Sequence, residues 1–339
     1  MSTPRTTARS GTAVAAILLV ALVLLVVAAL AGVTVGARVL SPAETLAGLL
    51  GHEGVASTVI WELRLPRTLL GLLVGAALGV AGVLAQAVTR NPLADPGLLG
   101  ISAGGAVAVV AGSAFLGLGA GGPRVLLALG GAALATAAVY LFASRSPEGL
   151  TPVNMTLAGM AMTAFLGAAV SATVLLSAST MDQYRFWVVG ALSLPDPGIL
   201  LPAAVPAVAG AILAVVVSGS LNALALGDDT AAALGVAVLR TRLLAGVAVV
   251  LLSGTAVALA GPIAFVGLVI PHIARALVGT DVRRVLALSA VLGPLLLVTA
   301  DVVGRLVARP AEVQVGVVTA LLGTPFFIWL TRRAKERSQ

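Results

Sequence analysis

The sequence predicts an all-α polytopic membrane protein of about ten transmembrane helices, a single domain over residues 1–339 with both termini cytoplasmic. Three observations predict it. Of the 339 residues, 59% are hydrophobic and 10% charged, whereas about a quarter of a soluble chain is charged. The mean hydropathy is +1.12. The charges also fall in clusters separated by uncharged runs long enough to cross a bilayer, which takes about 20 residues. A soluble enzyme and a disordered chain are excluded, and the absence of cysteine excludes a disulfide scaffold. The formal net charge of +7 has three readings: nucleic acid, anionic lipid or membrane orientation.

A charge at the centre of a spanning helix costs roughly 2.5–3.5 kcal/mol, so charges mark the ends of spans. The first run, Arg9 to Arg38, holds 28 uncharged residues. A signal-peptide core holds about 7–15, so an uncleaved helix is expected. The second span starts at Arg64-Leu65-Pro66-Arg67, where Pro66 suits the first helical position, and ends at Arg90. Spans three to six lie between Asp95 and Arg124, Arg124 and Arg145, Glu148 and Asp182, and Asp196 and Asp228. The run from Arg242 to Arg275 has 32 uncharged residues, broken at Gly261-Pro262 and again at Pro271. Proline removes a backbone donor, so this run divides into a full helix and a shorter one. The last two spans are Arg284 to Asp301 and Glu312 to Arg332.

An even number of spans puts both ends on one side. The head carries Arg5 and Arg9, and the tail Arg332, Arg333, Lys335 and Arg337. Basic ends belong in the cytoplasm, which gives cytoplasmic tails at 1–11 and 332–339. With the loops assigned accordingly, thirteen basic and six acidic residues lie inside and seven of each outside. The whole excess is then an orientation signal, and no nucleic-acid partner is implied.

Three loops carry more than topology. The cytoplasmic segment 222–242 contains a short helix, with Asp228 and Asp229 in its first turn, where the helix dipole favours acids, and Gly235 at its end. It is either a capped surface turn or a docking helix for a cytoplasmic partner. On the opposite face, Arg64 and Arg67 oppose the dipole of the helix they begin. They are either snorkelling anchors or a basic patch for an acidic partner, to which Arg305 adds. Asn91-Pro92-Leu93-Ala94-Asp95-Pro96-Gly97 forms a rigid non-helical turn, of a kind tolerated at membrane depth where it lines a cavity. The small residues from Gly71 to Gly82 suit close helix packing.

Absences narrow the chemistry. The single lysine, Lys335, leaves no phosphate-binding P-loop, so ATP hydrolysis by that route is excluded. His52 and His272 lack metal-ligand spacing, and His272 suits a packing role. No long uncharged run holds an interior acid, which disfavours an ion- or proton-coupled carrier.

These segments, in this order, resemble the FecCD-type permeases of ABC importers, the family that includes the cobalamin importer's permease. The resemblance rests on Arg64-Leu65-Pro66-Arg67, Gly75-Ala76-Ala77-Leu78, Gln86, Asn91 through Gly100, Leu157-Ala158-Gly159, and Leu226-Gly227 through Leu234-Gly235. It continues through Gly261 to His272, Ala300-Asp301, Arg305, Gly316 to Ala320 and Gly323 to Phe327. The resemblance implies the type II ABC importer permease fold in a bacterial cytoplasmic membrane, paired with a second copy or a paralogue. It also implies two separate ATPase subunits that hold ATP and Mg, and a binding (lipo)protein that delivers substrate. No cofactor or metal is expected on this chain. Gly227, Asp228, Asp229, Ala232, Leu234 and Gly235 take the family's ATPase-coupling role. Arg64, Arg67 and Arg305 match arginines that meet acids on the binding protein. Gln86, Asn91, Pro92, Thr151, Pro152, Val153 and Asn154 match the translocation path and gate. Many members read Glu-Leu-Pro-Val-Gly before the last helix, where this chain has Glu312-Val313-Gln314-Val315-Gly316. That variant resembles ferric-catecholate permeases and favours an iron–siderophore substrate over cobalamin or haem.

Overall fold

The computed structural model describes residues 10–52, 54–118, 122–147, 151–193 and 196–336. Arg5, Arg9, Glu148 and Arg337, which bear on the expected topology, lie outside them. The described chain is helical, in the order α1 (Gly11–Thr34), α2 (Pro42–Leu49), α3 (Val55–Thr58), a π-turn (Val59–Arg64) and α4 (Leu65–Thr89). Then follow α5 (Ile101–Leu116), α6 (Gly122–Ser144), α7 (Pro152–Leu175), α8 (Ala178–Val188) and α9 (Leu200–Leu224). The last are α10 (Asp228–Ala233), α11 (Val238–Ala260), α12 (Val266–Val278), α13 (Val282–Val307) and α14 (Val315–Glu336). Among the described residues, seven helices are long and apolar enough to cross a membrane, and three shorter apolar ones span Ile101–Leu116, Val266–Val278 and Val315–Leu330.

α4 is the axis of the bundle. In the most apolar window of the Val55–Thr89 helix 78% of residues are buried, against 11% for α1, so α1 is a peripheral helix that packs on α13 along one face and leaves most of its side chains facing outward. α13, α11 and α12 all pack on α4. They approach closely because glycines meet there: a Cβ on Gly75 would stand 2.5 Å from Pro294, and one on Gly82 would stand 2.0 Å from the Gly267 carbonyl oxygen. The small-residue stretch Gly71–Gly82 is therefore a packing surface, as its composition predicts.

Two expected boundaries are corrected. The second span does not begin at Arg64, because helix extends from Val55 to Thr89. The six residues before Leu65 wind as a π-turn that closes with Leu65 N–H on the Ile60 carbonyl, and Pro66, which has no donor, follows it in the first turn of α4. Nor does Pro271 break the later run: α12 continues through it. Proline at 271 leaves the Gly267 carbonyl without its i+4 donor, and Gln86 Nε2 of α4 supplies the missing hydrogen bond at 3.2 Å, with Leu268 O a further 3.3 Å contact. The expected break at Gly261-Pro262 is present. Gly261 has φ +73, and a Cβ there would lie 2.2 Å from Trp187 O.

Candidate functional site

Polar chemistry collects at the two ends of α4. At its N-terminal end, Arg64, Arg67 and Arg305 line one open cleft of about 440 Å³ together with Arg38, Glu62 and Glu312. The structure thus brings together the three arginines that the sequence singles out, although they are 241 positions apart at the extremes. Arg64 and Arg305 are turned inward, 5% and 2% exposed. Arg64 donates to the carbonyls of Val33, Thr34 and Arg38. Arg305 Nη1 donates to Gly32 O at 3.0 Å and Val35 O at 2.9 Å. These carbonyls belong to the C-terminal turn of α1 and the residues just beyond it, where intrahelical donors run out. Arg64 and Arg305 therefore hold down the C-terminal end of α1, which along its length packs on α13.

Arg67 is held differently. Its Nε and Nη2 donate to Asp301 Oδ1 at 2.9 and 2.7 Å, and its Nη1 donates to Glu312 Oε2 at 2.5 Å. Asp301 also pairs with Arg305 Nη2 at 2.9 Å and is itself 2% exposed. The expectation that spans lack interior acids therefore fails at this position: α13 runs six residues past Asp301. The acid is committed to two arginines, which makes it an anchor within the helix bundle rather than a proton relay.

At the C-terminal end of α4, the segment between α9 and α11 is residues 225–237, tighter than the predicted 222–242 because both helices extend into that range. α10 lies within it, entered at Gly227 (φ +111) and left at Gly235 (φ +82). Asp228 faces the bundle. It pairs with Arg90, and Arg242 Nη2 reaches its Oδ2 at 2.9 Å and its Oδ1 at 3.1 Å. Asp229, Ala232, Leu234 and Gly235 are exposed, and Leu226 and Leu234 show 65% and 63% of their surface. Ala231 is fully buried. The short helix thus has an inner face clamped by charge and an outer face of apolar side chains, Thr230 and one acid.

A second cleft, of about 290 Å³, opens beside this clamp and is lined by Gln86, Arg90, Pro92, Arg275 and Thr280 among others. Gln86 Oε1 accepts from Arg275 Nη2, so one buried amide bridges α4 and α12 through both of its ends. Asn91 Oδ1 accepts from Leu93 N–H at 2.9 Å and Asp95 Oδ1 from Gly97 N–H at 2.8 Å, which closes the two bends of the Asn91–Gly97 turn. Thr151, Pro152, Val153 and Asn154 form the start of α7, where Thr151 Oγ1 caps Asn154 N–H at 3.2 Å. Thr151, Val153 and Asn154 do not line the cleft that holds Gln86 and Pro92.

The sequence reading did not find Arg90 and Arg242 as partners of Asp228, Asp301 as the centre of the arginine cleft, or Arg275 as the partner of Gln86. Asp301 and Arg305 stand four residues apart on one helix, and that spacing is the signal that could have paired them. Among the described residues, no group of three or more His, Cys, Asp or Glu could hold a metal ion.

Comparison with known proteins gives consistent matches. The model of the FecCD transport family matches residues 18–333. The chain is 42% identical to the ferric enterobactin transport system permease protein FepD of Escherichia coli (strain K12), covering 92% of this chain and 93% of that one. It is 42% identical to the Fe(3+)-citrate import system permease protein YfmD of Bacillus subtilis (strain 168), covering 94% and 95%. The hemin transport system permease protein HmuU of Yersinia pestis is 39% identical, over 93% and 95%. Among solved structures, an inward-facing conformation of a metal-chelate type ABC transporter superposes with a TM-score of 0.83 at 29% identity, over 94% of this chain and 99% of that one.

Proposed function

The chain belongs to the FecCD transport family, and on that premise we propose that it carries an iron–siderophore complex across a bacterial cytoplasmic membrane as the permease subunit of an ABC importer. The observation that carries the substrate reading is its 42% identity to permeases named for ferric enterobactin and for ferric citrate, each over more than nine-tenths of both chains. Haem is the second reading, because the Yersinia pestis relative is named for hemin.

The proposed assembly has two permease subunits, two ATPase subunits that hold ATP and Mg, and one binding protein. The seven long helices and the three shorter apolar ones all cross the membrane, which makes ten spans with both termini in the cytoplasm. α10 docks on the ATPase through Leu226, Asp229, Ala232 and Leu234, while Gly227 and Gly235 set its ends and Asp228 holds it to the bundle. The arginine cleft at the other end of α4 receives acidic side chains of the binding protein, with Arg67 as the one of its three matched arginines that reaches solvent and Arg64 and Arg305 shaping its floor. Gln86, Asn91 and Pro92 border the path near its cytoplasmic end, and Thr151, Pro152, Val153 and Asn154 gate it from α7.

The mechanism this implies is mechanical. ATP binding on the partner moves α10; the charge clamp of Asp228 with Arg90 and Arg242 passes that movement to α4 and α11; and α4, the axis of the bundle, carries it to α12 and α13. Radioiron uptake into proteoliposomes that contain the permease and its cognate ATPase, with loaded binding protein outside, tests the substrate. Ferric siderophore should be taken up and haem should not compete; uptake of haem alone would select the second reading.

A further inference from the structure

Within the arginine cleft the guanidinium groups of Arg64, Arg67 and Arg305 are not equivalent. Those of Arg64 and Arg305 are spent on backbone carbonyls at and beyond the end of α1 and, for Arg305, on buried Asp301. Arg67, by contrast, has one fixed carboxylate and one exchangeable one. Asp301, 2% exposed, grips its inner side, whereas Glu312, 37% exposed, reaches its outer side from the α13–α14 turn. That turn is pinned independently of the ion pair, by Val313 N–H on Gly304 O at 3.0 Å and Gly316 N–H on Gly190 O at 3.1 Å. Glu312 can therefore leave Arg67 by side-chain rotation, with no refolding of the turn. Ion pairs between groups that reach solvent contribute little net stability, so the exchange of one carboxylate for another is easy.

We propose that Glu312 is a tethered stand-in for the carboxylate of the docking partner: it neutralises Arg67 in the free permease, and an acidic side chain of the binding protein displaces it. The inference rests on the docking reading of the arginine cleft. The displacement gives the site a built-in competitor, which limits the affinity of capture and favours release of the emptied binding protein when Glu312 returns. Glu62 lines the same cleft and makes no described ion pair with Arg67, so it serves as an internal control for charge alone.

The test is capture of the loaded binding protein by permease–ATPase complexes in nanodiscs, measured as an equilibrium dissociation constant at low ionic strength. Glu312→Gln should tighten capture about two- to fivefold, and the gain should shrink at high salt, where screening is strong. Glu62→Gln should give no comparable gain, and Glu312→Gln should have no effect in an Arg67→Gln background. Unchanged or weaker capture by Glu312→Gln, or an equal gain from Glu62→Gln, overturns the proposal while leaving the docking reading intact. Wild-type capture by Arg67→Gln alone overturns the docking reading instead. Thermal unfolding of each variant in the nanodisc, matched to wild type, secures the comparison against misfolding.

Discussion

Arg242 Nη2 lies 2.9 Å from Asp228 Oδ2, so the half-exposed first acid of α10 is turned toward α11, while its neighbour Asp229 is exposed without such a partner in this clamp. Arg90, which pairs with the same carboxylate, is the C-terminal cap of α4 and takes a left-handed conformation with φ +49. One side chain thereby joins the proposed coupling helix to α4 and α11.

Removal of that junction should separate ATP hydrolysis from transport. In Arg242→Gln or Asp228→Asn the reconstituted complex should still hydrolyse ATP, with uptake per ATP reduced about tenfold, a coupling loss of about 1.4 kcal/mol. Because Asp228 keeps 41% of its side chain exposed, the cost in folding stability should stay below about 1 kcal/mol. Parallel ATPase and uptake assays check it; an equal fall in both rates would place Asp228 in docking rather than in transmission.

Arg305→Met should be much more costly. It strips the carbonyls of Gly32 and Val35 of their donor and leaves Asp301 with one partner fewer. Breaking a buried pair costs about 3–5 kcal/mol, so the melting temperature in detergent should drop clearly. Arg305→Lys should not restore it, because one ammonium cannot reproduce the planar fork that spans α1 and Asp301.

Gly82→Ala should fail for a steric reason. The added Cβ would meet Gly267 O at 2.0 Å, and that same carbonyl is the one left without a donor by Pro271 and satisfied by Gln86. Separating α4 from α12 costs both the packing and the hydrogen bond, at least about 1–3 kcal/mol. Low yield of folded protein on size-exclusion chromatography is the expected result, whereas Gly130→Ala, with nothing within 4 Å of its Cβ position, should behave as wild type.

The turn after α4 should titrate. Burial raises the Asp95 carboxyl above its usual value, against the opposing pull of the Gly97 N–H that it accepts. Between the ordinary value and the raised one, the folded chain keeps a proton that the unfolded chain has released, so stability falls as pH rises through that window and stays lower above it. Asp95→Asn keeps an acceptor for Gly97 and should abolish this dependence. Thermal unfolding from about pH 4 upwards checks the sign.

Charge spacing made the helical bundle legible, because a charge inside a span is expensive and the runs between charges trace the long helices. The Gly261-Pro262 break and the short helix at Asp228 were legible too, each from residues that act locally. What escaped the sequence depends on partners far along the chain. Nothing near Pro271 indicates that Gln86, 185 positions earlier, will satisfy the carbonyl it orphans. Arg64 and Arg305 stand out as cations, but that they hold the end of α1 requires knowledge of where α1 ends in space. One local signal was overlooked: Ser41 and Glu44 form a capping box, with Ser41 N–H donating to Glu44 Oε2 at 2.7 Å and Glu44 N–H to Ser41 Oγ at 3.2 Å, and it starts α2. The spacing of a hydroxyl and an acid three residues apart was visible in the sequence.

In the proposed mechanism this permease is driven by a separate ATPase acting through α10. Ferric-siderophore uptake by proteoliposomes, with ATP supplied to or withheld from the ATPase-bearing face and with or without an imposed proton or sodium gradient, tests it most directly. Uptake should require both the ATPase subunits and hydrolysable ATP on their side, and should be indifferent to the ion gradients. Uptake by the permease alone on an ion gradient would show that it needs no ATPase and works as a secondary carrier.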